Sequence, residues 1–392
     1  MAIVLFDNTE RNKLFPLTRT QAIADLYLGM FTQKLRWELL TGMEILISTA
    51  QYLQPLYPEI PEGIHLWVDA SVIADSFLAE QVLALEEGDM LRDENSLVAG
   101  KFSSRDAAAM FQGPAHLTAK VFFLSSVRRL TYCWEMFQWN DWMIREDFKL
   151  LCRTKTSGPL PSTVRVVCPE NVFIGEGSSL EFASINAATG PVYIGPNASV
   201  MEGAMLRGPF AMCEHAAVKM GAKIYGATTL GPGTTAGGEI KNSLLQPFSS
   251  KAHDGYLGDS VIGRWCNLGA GTSNSNLKNT GTPVKMFAET SGELVGVGIK
   301  CGMILGDYSR LAINSSVNTG SQIGACCNVF GEGLLPKLIP DFSWGGTKVV
   351  TYEFEQAIRD IQNWKRFRQQ ELTAAETAVL KYIFDNQSTQ TV

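Results

Sequence analysis

In the second half of the chain, apolar residues return at every sixth position. Ile194, Val200, Leu206, Met212, Val218, Ile224 and Leu230 form one series; Ile299, Leu305, Leu311, Val317, Ile323 and Val329 form another. Several are followed by glycine, as at Ile194-Gly195, Leu230-Gly231 and Ile323-Gly324. A period of six suits neither a 3.6-residue helix nor a strand that simply alternates in and out. It predicts a left-handed parallel β-helix of hexapeptide repeats. Each hexapeptide makes one flat side, three sides make a coil of about eighteen residues, and the aliphatic residue points inward. The two series are out of phase. An interruption is therefore expected between Leu230 and Ile299, with a brief resumption at Ile262 and Leu268 and an earlier break between Ile174 and Ile194. Insertions in a solenoid loop out of one edge and often build the binding surface, so chemistry is expected there.

The first part of the chain has a different texture. Short apolar runs such as AIVLF and IHLWVD alternate with helical stretches such as FLAEQVLALEEG and RDAAAMF. That alternation predicts an α/β, Rossmann-like domain with a largely parallel sheet. TSGPLPST, residues 156–163, is a natural joint. Beyond Gly346 two helices are expected, the second opened by a capping box at Thr373–Glu376. The predicted organisation is an α/β domain over 1–155, a linker over 156–163, a β-helix over 164–345 and a helical segment over 346–392.

Composition narrows the function. Lys and Arg number 33 against 39 Asp and Glu, a net charge of −6 that offers no field for nucleic acid or an anionic membrane. Hydrophobic residues at 45% and charged residues at 18% exclude a disordered chain. No apolar run reaches the ~18 residues of a bilayer span. The start turns acidic and polar at Asp7, unlike a secretory leader, and the scattered cysteines carry the expectation of a cytoplasmic location. Eight cysteines without a CxxC pair, and only four histidines, favour neither zinc nor a disulfide scaffold. Most of the thiols are expected to be small buried hydrophobes.

The interruption, residues 237–279, holds His253 with Lys241, Lys251, Tyr256, Asn267, Asn274 and Asn276 around it. A histidine among such donors is what general-base chemistry on an amine or hydroxyl requires. The alternative is an imidazole that merely caps a loop.

The stretch SKAHDGYLGDSVIGRWCNLGAGTSNSN resembles the acetyltransferase signature of the bacterial bifunctional glucosamine-1-phosphate acetyltransferase / N-acetylglucosamine-1-phosphate uridyltransferase family. Lys241 lies twelve residues before His253, Tyr256 three after, Asn267 fourteen after and Asn276 nine beyond that, in the family's register. The resemblance implies that His253 is the base that deprotonates the glucosamine amine, with Glu239 orienting it. It implies that the backbone N–H near Ala270 holds the oxyanion. Lys241, Tyr256 and Asn276 would grip the sugar phosphate, Lys223 standing where the family has an arginine, and Asn267 would shape the acetyl-donor side. Acetyl-CoA as co-substrate and a homotrimer with sites between neighbours follow from the same resemblance. The chain departs from the family at Asn276-Leu277-Lys278-Asn279, in place of Asn-Tyr-Asp-Gly, and at Asp254-Gly255.

ERNKLFPLTRTQAIADLYLG resembles the signature of sugar-phosphate nucleotidyltransferases. Arg11 and Pro16-Leu17-Thr18 are kept; Asp7-Asn8-Thr9 replaces the glycine loop and Ala22-Ile23 replaces Pro-Lys. The resemblance implies uridylyl transfer from UTP with Mg2+. Arg11, Thr18, Arg19 and Lys34 are the candidate nucleotide-binding residues, and Asp69 the Mg2+ carboxylate. Without glycine the backbone cannot approach phosphate in the same way, so a retained fold with lost or changed chemistry stands as an equal alternative. Two classes of function result: a transferase acting on hexosamine-1-phosphate, or a non-catalytic UDP-sugar-binding regulator. An acetyltransferase for a different acceptor is a third reading.

Overall fold

The computed structural model describes residues 1–94, 96–110, 120–124, 127–153, 155–288 and 292–387. They form two compact units. The first comprises Met1–Leu14, Thr20–Leu26 and Phe31–Thr131; the second comprises Phe15–Arg19, Tyr27–Met30 and the chain from Tyr132 onward.

The first unit is built on a six-stranded sheet in the order Ile45–Ser48, Ile3–Phe6, Ile64–Asp69, Leu97–Ser103, Asp89–Arg92, Lys120–Phe123. Ile3–Phe6 is buried along its whole length, as a strand covered on both faces requires. It pairs in parallel with both neighbours, whereas both pairings of Leu97–Ser103 are antiparallel, so the sheet is mixed. Helix Gln33–Thr41 begins at Thr32, whose hydroxyl accepts the Leu35 N–H, and stops at Gly42 in the left-handed conformation. Helices Ser76–Leu83 and Ser104–Met110 match the other helical stretches of the sequence; Phe111, expected in the last of them, lies outside the described residues.

The second unit is the left-handed β-helix, with three sheets of parallel rungs for sides. On one side Ile194, Met212, Leu230, Leu245, Ile262, Leu305 and Ile323 stack in successive coils. Together with Val200, Val218, Leu268, Leu311 and Val329 on the second side, and Leu206, Ile224, Ile240 and Leu257 on the third, they form one continuous core. Each such side chain, fully buried, contributes about 1.5–3 kcal/mol. Helix Cys133–Cys152 belongs to this unit rather than to the α/β unit that the sequence assigns it to. The reason is a buried polar anchor. The Asn140 side chain donates to the Ala227 carbonyl at 2.8 Å and accepts from the Gly29 N–H at 2.9 Å and the Thr229 hydroxyl at 3.1 Å. Helices Phe354–Arg366 and Ala374–Asp385 close the chain, the second with the expected capping box.

Two expectations about the ladder are corrected. The coil is not interrupted after Leu230: strands Glu239–Lys241, Leu244–Leu245, Ser250–Lys251 and Tyr256–Gly258 continue all three sides without a break. Those coils are short of eighteen residues, which shifts the phase while the register continues. The true excursion comes later, in the hairpin of Val284–Ala288 with Glu293–Gly298. Ile299 follows that hairpin and is 50% exposed, so it is no ladder residue; the stack resumes at Met303 and Leu305.

Candidate active site

Alternation along Ser250–Lys251 turns Ser250 outward and drives Lys251 into the interior of the prism, in register with Ala236 one coil earlier. The small alanine leaves room for the stem of the lysine. Its ammonium donates to the carbonyls of His253 at 2.8 Å and Gly237 at 3.3 Å. Burial pulls its pKa down to about 8, against a smaller opposing effect of Asp254. The lysine thereby ties together two adjacent corners of the coil, Gly237-Gly238 and Ala252–Gly255. Gly238 has φ +70°, and a Cβ there would stand 2.8 Å from the carbonyl oxygens of both His253 and Gly255. Only glycine lets the corners stack so closely.

These corners open onto a pocket of about 490 Å3, lined by Lys219, His253, Asp254, Ala270 and Asn314, among others. His253 is exposed, and its imidazole has no hydrogen-bond partner among the described residues. The facing turn is held by Gly271 N–H to the Asp254 carbonyl at 3.0 Å and Asn314 N–H to the Ala270 carbonyl at 2.7 Å. The Ala270 N–H itself is unspent among the described residues. Lys219 makes no ion pair among them either. An uncommitted imidazole, a free amide N–H and an ammonium thus share one cavity. That set can remove a proton and hold a developing oxyanion.

The other candidates for this site lie elsewhere on the prism. Lys223, Glu239 and Tyr256 stand side by side on the outer face of one sheet, beside the row of Tyr225 and Lys241. The Glu239 carboxylate accepts the Tyr225 hydroxyl at 2.7 Å and makes no hydrogen bond to His253. That bond pushes the Tyr225 pKa up to about 12. The Lys241 ammonium lies 5.6 Å from the centre of the Tyr225 ring. Asn276 donates to the Tyr256 hydroxyl at 3.0 Å and to the Asp259 carboxylate at 2.5 Å; Asn242 holds the other oxygen of Asp259 at 2.7 Å. Burial and Asp259 hold the Tyr256 phenol above its usual range. Asn267 sits on a different side, between Ser250 and Arg310.

Sequence reasoning missed Lys219 and Asn314 as pocket residues, and it placed Lys251 and Asn274 in a loop rather than in the interior. For Lys251 the signal was present: it falls midway in the six-residue series Leu245, Lys251, Leu257. Asn274 likewise continues Ile262 and Leu268, and inside the coil it accepts from the Gly258 N–H at 2.9 Å.

The candidates of the nucleotide signature are divided between the two units. Lys34 is on the surface of its helix near Glu38, 3.9 Å away. Thr18 and Arg19 belong to the second unit, where Arg19 pairs with Asp341 at 3.0 Å. Asp69 ends an interior strand of the first sheet and pairs with Arg129, while Arg11 pairs with Asp7 just beyond the neighbouring strand. Among the described residues no three His, Cys, Asp or Glu side chains gather as a metal-binding group, and no helix is long and apolar enough to cross a membrane.

Residues 3–156 match the family described as sugar nucleotidyl transferase. The chain is 32% identical over 99 residues to a bifunctional protein GlmU of Methanocaldococcus jannaschii, covering 25% of this chain and 24% of that protein. It is 34% identical over 93 residues to a bifunctional sugar-1-phosphate nucleotidylyltransferase/acetyltransferase of Sulfurisphaera tokodaii, covering 24% and 23%. A GlmU of Bartonella quintana is 24% identical over 230 residues, 56% of this chain and 45% of that one. The chain thus spans less than half the length of these relatives. Residues 3–156 match the sugar nucleotidyl transferase family model, and parts of the chain are similar, at low identity, to GlmU-type bifunctional proteins.

Proposed function

We propose that the protein is a transferase of sugar-nucleotide biosynthesis whose β-helix moves an acetyl group from acetyl-CoA to an amino-sugar-1-phosphate. The observation that carries this reading is the shared pocket of His253 and Ala270, where a base without a partner faces an unspent N–H. His253 takes a proton from the acceptor amine as its nitrogen attacks the thioester carbonyl. The oxyanion of the tetrahedral adduct is held by the Ala270 N–H. Collapse of the adduct breaks the carbon–sulfur bond, and the CoA thiolate leaves with the proton that His253 returns. Lys219, inside the pocket, supplies positive charge for an anionic group of either substrate. Lys223, Lys241, Tyr256 and Asn276 form a polar surface suited to a phosphate.

The same reading makes the protein a homotrimer. Phe182, Met220 and Ile313, each more than 60% exposed, occupy the same corner of the prism as His253, in coils separated by those that place Glu202, Gly238, His253 and Ala270 there. An apolar corner of this kind is suited to burial against a second copy. A different acceptor is favoured by one observation: Leu277, in place of the family's tyrosine, is 43% exposed beside Asn276.

The test is CoA release across a panel of amino-sugar phosphates, with His253→Ala alongside. The variant should keep its melting temperature, because the side chain is exposed and unbonded, and should lose about 10²–10⁴ in rate. Undiminished CoA release would remove His253 from catalysis. UDP-sugar binding without any CoA release would favour the regulator.

A further inference from the structure

We infer that the first unit has replaced a Mg2+–nucleoside triphosphate site with a closed lattice of its own ion pairs, and that it binds no Mg2+–nucleoside triphosphate. Ligands of open α/β sheets sit beyond the carboxyl ends of the parallel strands. Here Ile3–Phe6 and Ile64–Asp69 are neighbours, with Phe6 opposite Asp69, so a metal and its phosphates would have to lie over Asp7, Asn8 and Asp69.

The residues present do not fit a metal. Mg2+ needs oxygen lone pairs directed into open space at about 2.0–2.1 Å. Asp69 is 2% exposed and its oxygens are already occupied. One accepts the Ser71 N–H at 2.8 Å, the Ser71 hydroxyl at 2.7 Å and the Asn8 amide at 3.1 Å. The other accepts the same amide at 2.9 Å and the Arg129 guanidinium. Arg129 reaches on to Asp93 at 3.1 Å. It bridges two carboxylates where a divalent ion would otherwise do so, and its fixed charge repels a second cation.

Nor is the charge of the kept arginine left for a phosphate. In the loop after Ile3–Phe6, Asp7 accepts the Ile23 N–H at 2.9 Å, the Thr49 hydroxyl at 2.6 Å and the Arg11 Nε at 3.0 Å. The Asn8 side-chain oxygen accepts the Glu10 N–H at 2.8 Å. A buried carboxylate stands where the nucleotidyltransferase signature has glycine, and Arg11, the cation that signature keeps, is neutralised by it.

The experiment uses the full chain. Calorimetric titration with UTP and with dTTP in excess Mg2+, and a pyrophosphate-release assay with sugar-1-phosphate, should show neither saturable heat nor turnover. EDTA should leave the melting temperature unshifted. Arg129→Met should lower that temperature by several degrees, because Asp69 and Asp93 lose their counter-charge; Arg129→Lys should recover part of the loss. Saturable, EDTA-sensitive UTP binding at micromolar concentration would overturn the inference. So would pyrophosphate release lost in Asp69→Asn, or an Arg129→Met protein as stable as the parent. None of these readouts depends on acetyl transfer.

Discussion

The buried lysine offers a sharp test of the site's construction. Lys251 keeps its charge at neutral pH although its side chain lies inside the apolar prism, and burial lowers its pKa from 10.5 to about 8. The unfolded chain holds that proton up to about pH 10.5, while the folded chain releases it near pH 8. Between those values the unfolded state binds more protons, so stability rises with pH through this window and is flat below it. At 1.36 kcal/mol per pH unit, the rise from this one group is about 3 kcal/mol. In Lys251→Met the titration is gone, together with the two hydrogen bonds to the carbonyls of Gly237 and His253, worth about 1–3 kcal/mol. Near pH 7 the two changes nearly cancel, and the variant should be about as stable as the parent, or slightly more so. As the pH rises towards 10 the parent should gain on the variant by about 2–3 kcal/mol. Urea midpoints of both proteins across this range give the difference directly, because the groups they share cancel. Parallel pH curves would refute the account of Lys251 as a charged interior group. Under the proposed function the variant should also lose acetyl transfer, since the corner that presents His253 loses its internal tie.

Further expectations rest on the corner itself. Gly238→Ala forces a side chain into left-handed backbone and against two carbonyl oxygens, so it should cost about 1–3 kcal/mol or more and constrict the pocket; a urea midpoint equal to the parent's would count against the tight stacking described. Light scattering should give the mass of a trimer, and Met220→Glu with Ile313→Glu should reduce it to that of a monomer; a monomeric parent would dismiss the shared corner.

How much of this was legible in the sequence depends on what each residue has to do. The ladder from Ile194 to Leu230 was readable because every coil there has full length and an aliphatic residue at each inward position. Beyond Leu230 the same six-residue logic still operates, but the coils shorten and two inward positions are polar, Lys251 and Asn274. A reading that counts only aliphatic residues takes such positions for an interruption. What looked like a break is the part of the prism where the interior carries hydrogen bonds, and the unspent donors of the pocket lie at its corners. Ile299 shows the converse: the spacing was right by arithmetic, but the residue follows a hairpin whose length is unrelated to the coil. His253 was legible as a candidate because histidine is rare in this chain and its neighbours carried a motif. Arg129 was not, since nothing local distinguishes an arginine after a strand from any other. Its partners Asp69 and Asp93 are 60 and 36 residues away, and only the fold of the sheet brings the three together.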